Sequence, residues 1–589
     1  MAIQKKVNVV TVGAGWTAAI FAQILTEAGY TVVSIEQGPE RWANPDFEHN
    51  HDPLRYHVRH AMMVNLSKET WTWRPNPDAP TLPMRQYGTF NPGQGIGGAA
   101  IHWSGMLWRF LETDFNYRTH YVEKYGEDKL PQGVQVQDWP ISYAELEPFY
   151  NKMEYDLGAS GRAGNLNGVK IKDGNVFEAP RSQPYPLPPL NVTIPSRMFA
   201  DTCRQLGYHP FPQPSGILSQ AYQDRFGNVR SGCLYCGFCT RYGCEVDAKS
   251  EPINTHMPPA LATGLYEIRP NSKVTGVNIG QDGLATGVTY IDDQGHEQEQ
   301  PADIVLLSGF TLTNVRMLLL SRNKDHPNGI GNDQGRVGKN YTYQHWHGLS
   351  TGKFPGRRFN LYMGNTSTQM VIFDFQADVF DHSNLDFIGG GMLFSTLGER
   401  DPLTSATDLP LKGSDKKSWG KDWKDELRNN WDGVATILLQ AESLPYADQF
   451  LDLDPVYKAA DGQPLLRLTF DWHQNDYNMY AFMAQKADEI MKAMGPAEMH
   501  TTSDLSPYNI HKYQSTHPTG GAIMGSDPSN SVTNKYGQVW DTPNVFVTGA
   551  ALYPQNPGVN PTGTLLALSY MAAETVRDKY FRNPNRLLV

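Results

Sequence analysis

The first 36 residues contain a strand, a glycine turn, a helix and a second strand in direct succession. The apolar run Val7–Val12 (VNVVTV) is typical of a strand buried on both faces. It leads into GAGWTA at residues 13–18, which fits the G-x-G-x-x-A pattern of dinucleotide-binding units. Such glycines let the backbone approach a pyrophosphate, and the helix predicted over about residues 16–28 offers its first N–H groups to the phosphates. Glu36 lies at the end of the second strand, where a carboxylate accepts hydrogen bonds from ribose hydroxyls. We therefore predict a dinucleotide site, with a ligand-free packing loop as the alternative.

A second glycine cluster occupies residues 91–106 (NPGQGIGGAAIHWSGM). So many glycines and small residues in one stretch indicate that the backbone passes close to another group. His102 and Trp103 follow directly. A tight packing loop around a hydrogen-bonded core histidine is the alternative to a ligand site.

The C-terminal region repeats the order of strand, tight loop and helix. Residues 545–547 (VFV) predict a buried strand, Gly549 and Ala550 begin a glycine-rich loop, and a helix is predicted from about residue 562 to 580. This repeat suggests that the C-terminus folds back beside the N-terminal dinucleotide site.

Five stretches together resemble the glucose–methanol–choline (GMC) family of flavoprotein oxidoreductases, and the resemblance extends over essentially the whole chain. The matching stretches are VGAGWTAA, GQGIGGAAIHWSG, ADIVLLSGFTLTNVRMLLLS, STHPTGGAIMG and VTGAALYPQNPGVNPTGTLLAL. The resemblance implies an α/β fold (α+β overall), with a Rossmann-like FAD-binding domain and a second, substrate domain built on an antiparallel sheet. It implies an FAD domain at residues 1–175, 228–345 and 525–589, and a substrate domain at residues 176–227 and 346–524.

The family pattern places a histidine and an asparagine over the flavin, and these positions fall on His517 and Asn560. A neutral imidazole is a suitable base for an alcohol proton near neutral pH, and an amide can orient the hydroxyl. Val274 matches the position whose backbone meets the adenine. Ser308 and Gly309 match the family's second signature, where Ala and Gly are usual. From the motifs and the resemblance together, the expected FAD-binding residues are Gly13, Gly15, Ala18, Glu36, Gly97, Gly98, His102, Trp103, Ser104, Val274, Gly549, Ala550 and Thr562.

The stretch around His102 also resembles the loop of pyranose oxidases and flavinylated sugar dehydrogenases. In those enzymes the histidine is bonded covalently to the flavin ring. The resemblance therefore implies that FAD is attached through His102. Many GMC members lack this histidine and hold FAD non-covalently, so family membership alone does not require the bond.

Four of the five cysteines fall within twelve positions: Cys233, Cys236, Cys239 and Cys244. Their spacing, C-x2-C-x2-C-x4-C, is close to the ferredoxin run but has a longer last interval and no following proline. A tetrahedral zinc site and four unligated thiols are the alternatives. Related multi-subunit sugar dehydrogenases carry a [3Fe–4S] cluster, which implies an iron–sulfur centre here, and the fourth cysteine leaves [4Fe–4S] open. Cys203 stands apart and is expected to be a buried structural thiol.

Composition narrows the class of partner and the compartment. The formal charge of −11 argues against nucleic acid, because phosphate neutralisation needs clustered Lys and Arg. No stretch approaches the roughly 18 apolar residues of a membrane span, so contact with a membrane is expected only through partners. The N-terminus shows no signal peptide and no twin-arginine signal. By resemblance we expect a periplasmic location through a small twin-arginine-bearing subunit, together with a cytochrome c subunit.

Within the family, the segments LYCGFCTRYGC and LDLDPVYKAADGQPLLRLTFDWHQND resemble a branch of membrane-associated sugar-acid dehydrogenases. The implied reaction is oxidation of a secondary alcohol of a sugar acid or polyol, D-gluconate to 2-keto-D-gluconate. Electrons would pass through the iron–sulfur centre to the cytochrome and quinone. The alternative substrates are 2-ketogluconate, sorbitol and the 3-position of a glucoside. A sugar oxidase and a non-catalytic flavin-binding scaffold are the other readings, and the cysteine loop argues against the oxidase.

Overall fold

The computed structural model describes residues 2–47, 51–361, 363–364, 366–396, 411, 419–512 and 515–587. These residues form a mixed α/β structure with one large mainly parallel sheet and one antiparallel sheet. No helix in the described ranges combines the length and apolar composition that a membrane crossing requires.

The larger sheet has eight strands and contains the dinucleotide-type unit. Its mutually parallel strands are Ala2–Ile3, Val7–Val12, Val32–Ile35, Tyr266–Arg269, Glu297–Leu307 and Val545–Val547. An antiparallel pair, Lys273–Ile279 and Ala285–Ile291, extends the sheet beyond Glu297–Leu307. Strands Val32–Ile35 and Val545–Val547 are buried along their whole length, as expected where helices cover a parallel sheet.

The predicted first helix is Trp16–Glu27, and its residues from Trp16 to Thr26 are all buried. It packs against helices Thr562–Thr575 and Met257–Ala262. Just after strand Val545–Val547, the Thr548 hydroxyl donates to Thr17 Oγ1 at 2.9 Å. The C-terminus therefore lies beside the N-terminal unit, as predicted.

The antiparallel sheet has six strands: Phe211–Pro212, His345–Lys353, Met370–Ile372, Gly391–Thr396, Val434–Ala441 and Glu498–Thr501. Helices Gln474–Met494 and Ile194–Gln205 pack on this sheet and on each other. Together the two sheets confirm the predicted fold class. The domain boundaries given above stay a prediction.

Shorter elements complete the described chain. A third sheet contains Trp71–Arg74, Leu82–Pro83, Phe450–Lys458 and Pro464–Thr469. Two-stranded pairs are Asn165–Leu166 with Val169–Lys170, Tyr222–Gln223 with Val229–Arg230, and Thr342–Tyr343 with Pro518–Thr519. The remaining α-helices are Ala43–Asp46, Glu112–Phe115, Tyr117–Tyr125, Tyr143–Leu157, Thr311–Leu320 and Gly420–Asn430.

A buried ionic network ties helix Tyr143–Leu157 to the segment that follows the second glycine cluster. The Glu154 carboxylate accepts from Arg109 Nε and Nη2, both at 2.8 Å, and also from Arg181 Nη2. Glu154 and Arg181 are almost completely buried. Breaking a buried pair leaves an uncompensated charge in a low-dielectric interior, so the network is sensitive to the loss of either sign.

We expect Glu154→Gln to lower the free energy of unfolding by about 3–5 kcal/mol, because two buried guanidinium groups would lose their shared carboxylate. Urea unfolding followed by tryptophan fluorescence measures the change. The control is Asp578→Asn, which removes the partly exposed pair with Arg577 and should cost about 0–1 kcal/mol. Equal effects of the two substitutions would contradict the assigned role of Glu154.

Candidate active site

A cavity of about 440 Å³ lies where the glycine loops of the larger sheet meet the antiparallel sheet. Cavities of this size accept cofactors and small ligands. Of the predicted FAD-binding residues, the structure places the following on the cavity wall: Gly13, Gly15, Glu36, Gly97, Gly98, His102, Trp103, Ser104, Val274, Gly549, Ala550 and Thr562. Ser308, Gly309, His517 and Asn560 also line it. Ala18 does not line it: this residue is buried inside the first helix, where its small side chain allows close packing.

The two glycine loops touch each other at the start of the first helix. Gly97 N donates to Ala14 O at 2.8 Å, and a Cβ added at Gly98 would lie 3.5 Å from Gly15 Cα. Gly13 has a φ of +99°, in the region that favours glycine. The backbone at this corner is therefore open to the cavity without side chains in the way.

Glu36 holds this corner together. Its carboxylate accepts from Ala14 N at 3.1 Å, Gly38 N at 2.9 Å and Gly95 N at 3.1 Å. Burial raises the pKa of Glu36, while these three N–H groups act in the opposite direction. The residue predicted to meet a ribose thus also positions both glycine loops.

His102 ends the short turn Gly98–His102 and is buried at the cavity wall. Its Nε2 has no hydrogen-bond partner in the structure. Burial, and then the nearby positive charge of Lys249, lower the pKa of His102 to about 3, so the imidazole is neutral near pH 7. A neutral, buried and unpartnered ring nitrogen at this wall fits attachment to a ligand.

His517 and Asn560 are brought together although 43 positions separate them. Asn560 Nδ2 lies 3.3 Å from His517 Nε2, and Trp108 Nε1 donates to Asn560 Oδ1 at 2.9 Å. Asn556 Nδ2 donates to the His517 carbonyl at 2.9 Å. His517 is partly exposed, at the wall of the cavity, and desolvation lowers its pKa to about 3. The imidazole therefore remains a neutral base well below pH 6.5.

The antiparallel sheet forms the wall next to His517. Trp346, Phe394, Thr396 and Leu438 line the cavity from three adjacent strands of this sheet. Gln369 joins them and is almost completely buried, and its Oε1 has no partner. This wall combines aromatic and aliphatic surface with hydroxyl and amide groups, which suits a polyhydroxylated ligand.

The cysteine loop lies directly behind His102. Arg241 N donates to the His102 carbonyl at 2.8 Å. Lys249 Nζ donates to two carbonyls on each side: Ile101 (2.9 Å) and Trp103 (3.2 Å), and Cys239 (2.9 Å) and Tyr242 (2.7 Å). One buried ammonium group thus joins the cavity wall to the loop that carries the cysteines.

All five cysteines belong to the described part of the chain, and none forms a disulfide. No three of the clustered sulfurs lie within 4.8 Å of one another; in the described ranges the one group of three potential ligands that meets this distance is His326, Asp333 and Asp541. This loop conformation therefore does not present the compact ligand set of a single zinc ion. Two sulfurs accept from backbone N–H groups: Cys233 from Tyr235 at 3.3 Å and Cys244 from Lys249 at 3.4 Å.

Sequence reasoning missed three residues that organise the site: Trp108, Lys249 and Gln344. Trp108 stands six positions after His102 in the same glycine-rich segment, and this proximity is the signal that was available. Lys249 and Gln344 act through contacts that no local pattern announces.

Comparison with known proteins agrees with this geometry. Residues 445–569 match the family model described as GMC oxidoreductase. The chain is 40% identical to the gluconate 2-dehydrogenase flavoprotein of Pantoea cypripedii, over 99% of this chain and 95% of that protein. It is 26% identical to the fructose dehydrogenase large subunit of Gluconobacter japonicus, over 97% of each.

A solved structure supports the fold. Pyridoxine 4-oxidase from Mesorbium loti superposes with a TM-score of 0.59 at 14% identity, over 98% of this chain and 100% of that chain. At this identity the likeness concerns the fold alone. Together with the full-length similarity to the gluconate dehydrogenase flavoprotein, it leads to one assignment: the chain belongs to the GMC family of flavoprotein oxidoreductases, which use FAD to oxidise CH–OH groups.

Proposed function

We propose that this protein is the flavoprotein subunit of a dehydrogenase that oxidises D-gluconate at C2 to 2-keto-D-gluconate. The observation that carries the proposal is the pairing of a neutral His517 with Asn560 at the cavity wall. The 40% identity to a gluconate 2-dehydrogenase flavoprotein supports the choice of substrate.

The residues at the cavity fit FAD. The two glycine loops leave the backbone open at the first helix, Glu36 faces the same corner, and His102 presents an unpartnered nitrogen. Val274 and the loop at Gly549 and Ala550 complete the set of residues that would hold the cofactor. Bound FAD would supply the acceptor for the hydride that leaves the alcohol carbon.

His517 and Asn560 divide the work on the substrate hydroxyl. Asn560 Nδ2 donates toward the space beside His517 Nε2, so a hydroxyl placed there accepts from the amide and donates to the imidazole. As the C–H bond breaks, the hydroxyl proton moves to His517 Nε2, the C=O bond forms, and the ring becomes an imidazolium. The low pKa of His517 keeps Nε2 unprotonated before the substrate arrives.

The four clustered cysteines are proposed ligands of a [3Fe–4S] or [4Fe–4S] centre. Backbone N–H groups that donate to cysteine sulfurs are typical of iron–sulfur sites, and two such bonds are present. A polynuclear cluster places its own atoms between the sulfurs, so its ligands need not converge as those of one zinc ion do. The contacts of Lys249 connect this loop to the FAD cavity, which supports a role in electron exit.

The same proposal includes the partners. Electrons would leave singly for a cytochrome c subunit and then quinone, and a small subunit with a twin-arginine signal would bring the complex to the periplasmic face of the membrane. The similarity to a protein named as the large subunit of fructose dehydrogenase supports a multi-subunit assembly.

The primary experiment follows absorbance near 450 nm after D-gluconate is mixed anaerobically with the holoenzyme. We expect bleaching by gluconate, and a roughly 10²–10⁴-fold slower rate in His517→Ala, because the general base is lost. His296→Ala, at an exposed histidine, is the matched control and should bleach at the wild-type rate. Bleaching only by sorbitol, 2-ketogluconate or a glucoside would overturn the substrate, and full activity of His517→Ala would overturn the mechanism.

We also expect the unfolded wild-type chain to retain its yellow colour, because His102 would bear a covalent link to the flavin. Acid precipitation followed by absorbance of pellet and supernatant measures this. His102→Ala should release all flavin into the supernatant while still binding it when folded. Release of flavin from the wild type would contradict the link.

For the cysteine centre we expect three or four iron atoms per chain, with matching acid-labile sulfide, and loss of iron in Cys239→Ser. Metal analysis and electron paramagnetic resonance provide the measurement. Cys203→Ser, at the isolated buried cysteine, is the control and should retain iron. Zinc in place of iron, or no metal in the wild type, would overturn the assignment.

A further inference from the structure

The base proposed above can act only if His517 carries its single ring proton on the correct nitrogen. A neutral imidazole has one N–H and one lone pair, and the hydrogen bond at one nitrogen decides which is which. The contacts around His517 settle this choice from two independent sides.

On the first side lies Gln344, whose amide orientation is fixed by backbone carbonyls. Its Nε2 faces the carbonyl oxygens of Pro557 and Val559, the latter at 2.8 Å. Carbonyl oxygens only accept hydrogen bonds, so the NH₂ group of Gln344 must point toward them. Gln440 Nε2 donates to Gln344 Oε1 at 2.6 Å, which holds the oxygen on the opposite side.

The Gln344 oxygen therefore faces His517 Nδ1, at 2.7 Å. An amide oxygen only accepts, so Nδ1 must carry the proton. Nε2 is then the nitrogen with the lone pair, and it is Nε2 that faces Asn560.

On the second side, Trp108 fixes the orientation of Asn560. The indole N–H only donates, so the atom it meets at 2.9 Å is Asn560 Oδ1. The NH₂ group of Asn560 consequently points at His517 Nε2, 3.3 Å away. This donor needs a lone pair on Nε2, which is the arrangement that Gln344 also requires.

We propose that Gln344 is a positioning residue that holds His517 in the Nδ1–H form, so that Nε2 is free to accept the substrate proton. The proposal rests on the proposed function in one respect, that His517 is the base. Gln344 and Gln440 are completely buried, so water does not compete for these bonds. Through Pro557 and Val559 the same amide also holds the loop that carries Asn560.

A purely structural role for Gln344 would hold the loop without selecting the ring nitrogen. Neutron diffraction from crystals of the wild-type holoenzyme, exchanged into heavy water, distinguishes the two roles. We expect deuterium on His517 Nδ1 and none on Nε2. Deuterium on Nε2 would overturn the proposal, and this result does not depend on whether gluconate is the substrate.

The second test is kinetic and uses Gln344→Met, which keeps the length of the side chain and removes the acceptor. We expect the rate of flavin bleaching at saturating substrate to fall roughly 10- to 100-fold, within the contribution of a general base, with little change in the substrate concentration for half-maximal rate. Gln440→Met leaves the carbonyl anchors intact and should have a smaller effect. An unchanged rate in folded Gln344→Met would overturn the proposal.

Gln449→Met is the matched control, because Gln449 is also a buried glutamine and donates to the Asp471 carbonyl away from the cavity. It should bleach at the wild-type rate. If gluconate fails to bleach the wild type and another sugar succeeds, the same comparison is made with that sugar. Failure of the proposed substrate and failure of the positioning role are therefore separate outcomes, and if Gln344→Met does not fold, the neutron result on the wild type decides.

Discussion

The site depends above all on one set of parallel strand pairings in the larger sheet. Strand Glu297–Leu307 pairs with Val7–Val12 on one side and with Val545–Val547 on the other. This arrangement brings the end of the chain to its beginning, and the bond between Thr548 and Thr17 joins residues 531 positions apart. Without it, the loops that carry His517 and Asn560 would not lie over the glycine turns.

The segment around residues 101–109 connects the parts of the site. His102 lies at the cavity wall, and the neighbouring carbonyls bind Lys249 and through it the cysteine loop. Trp108 orients Asn560, and Arg109 is anchored by Glu154 in the buried ionic network. Cofactor wall, substrate amide and cysteine loop therefore share one short stretch of backbone, and its packing constrains all three together.

Much of this could be predicted from the sequence because the signals were local. The first strand, glycine turn and helix were predictable from adjacent residues, and so was the later strand and helix at the C-terminus. Ala18 belongs to the same local motif, but its position inside the helix gives it a packing role. His517 and Asn560 required a resemblance between motifs, since 43 positions separate them and no periodicity relates them.

The orientation of the site could not be predicted in the same way. Gln344 meets His517 across 173 positions and Lys249 meets Ile101 across 148, and each contact exists only once the sheets are assembled. Sulfur positions in the cysteine loop also depend on tertiary packing, so spacing alone left zinc and iron–sulfur both open. Buried polar groups such as these follow from three-dimensional complementarity, which local sequence patterns do not encode.

The central claim is that this cavity removes hydride from C2 of gluconate while His517 takes the hydroxyl proton. The most direct test compares anaerobic flavin bleaching by gluconate deuterated at C2 with bleaching by gluconate deuterated at C3. The account predicts slower bleaching with deuterium at C2 and an unchanged rate with deuterium at C3. Equal rates for both, or slowing by deuterium at C3 alone, would contradict it.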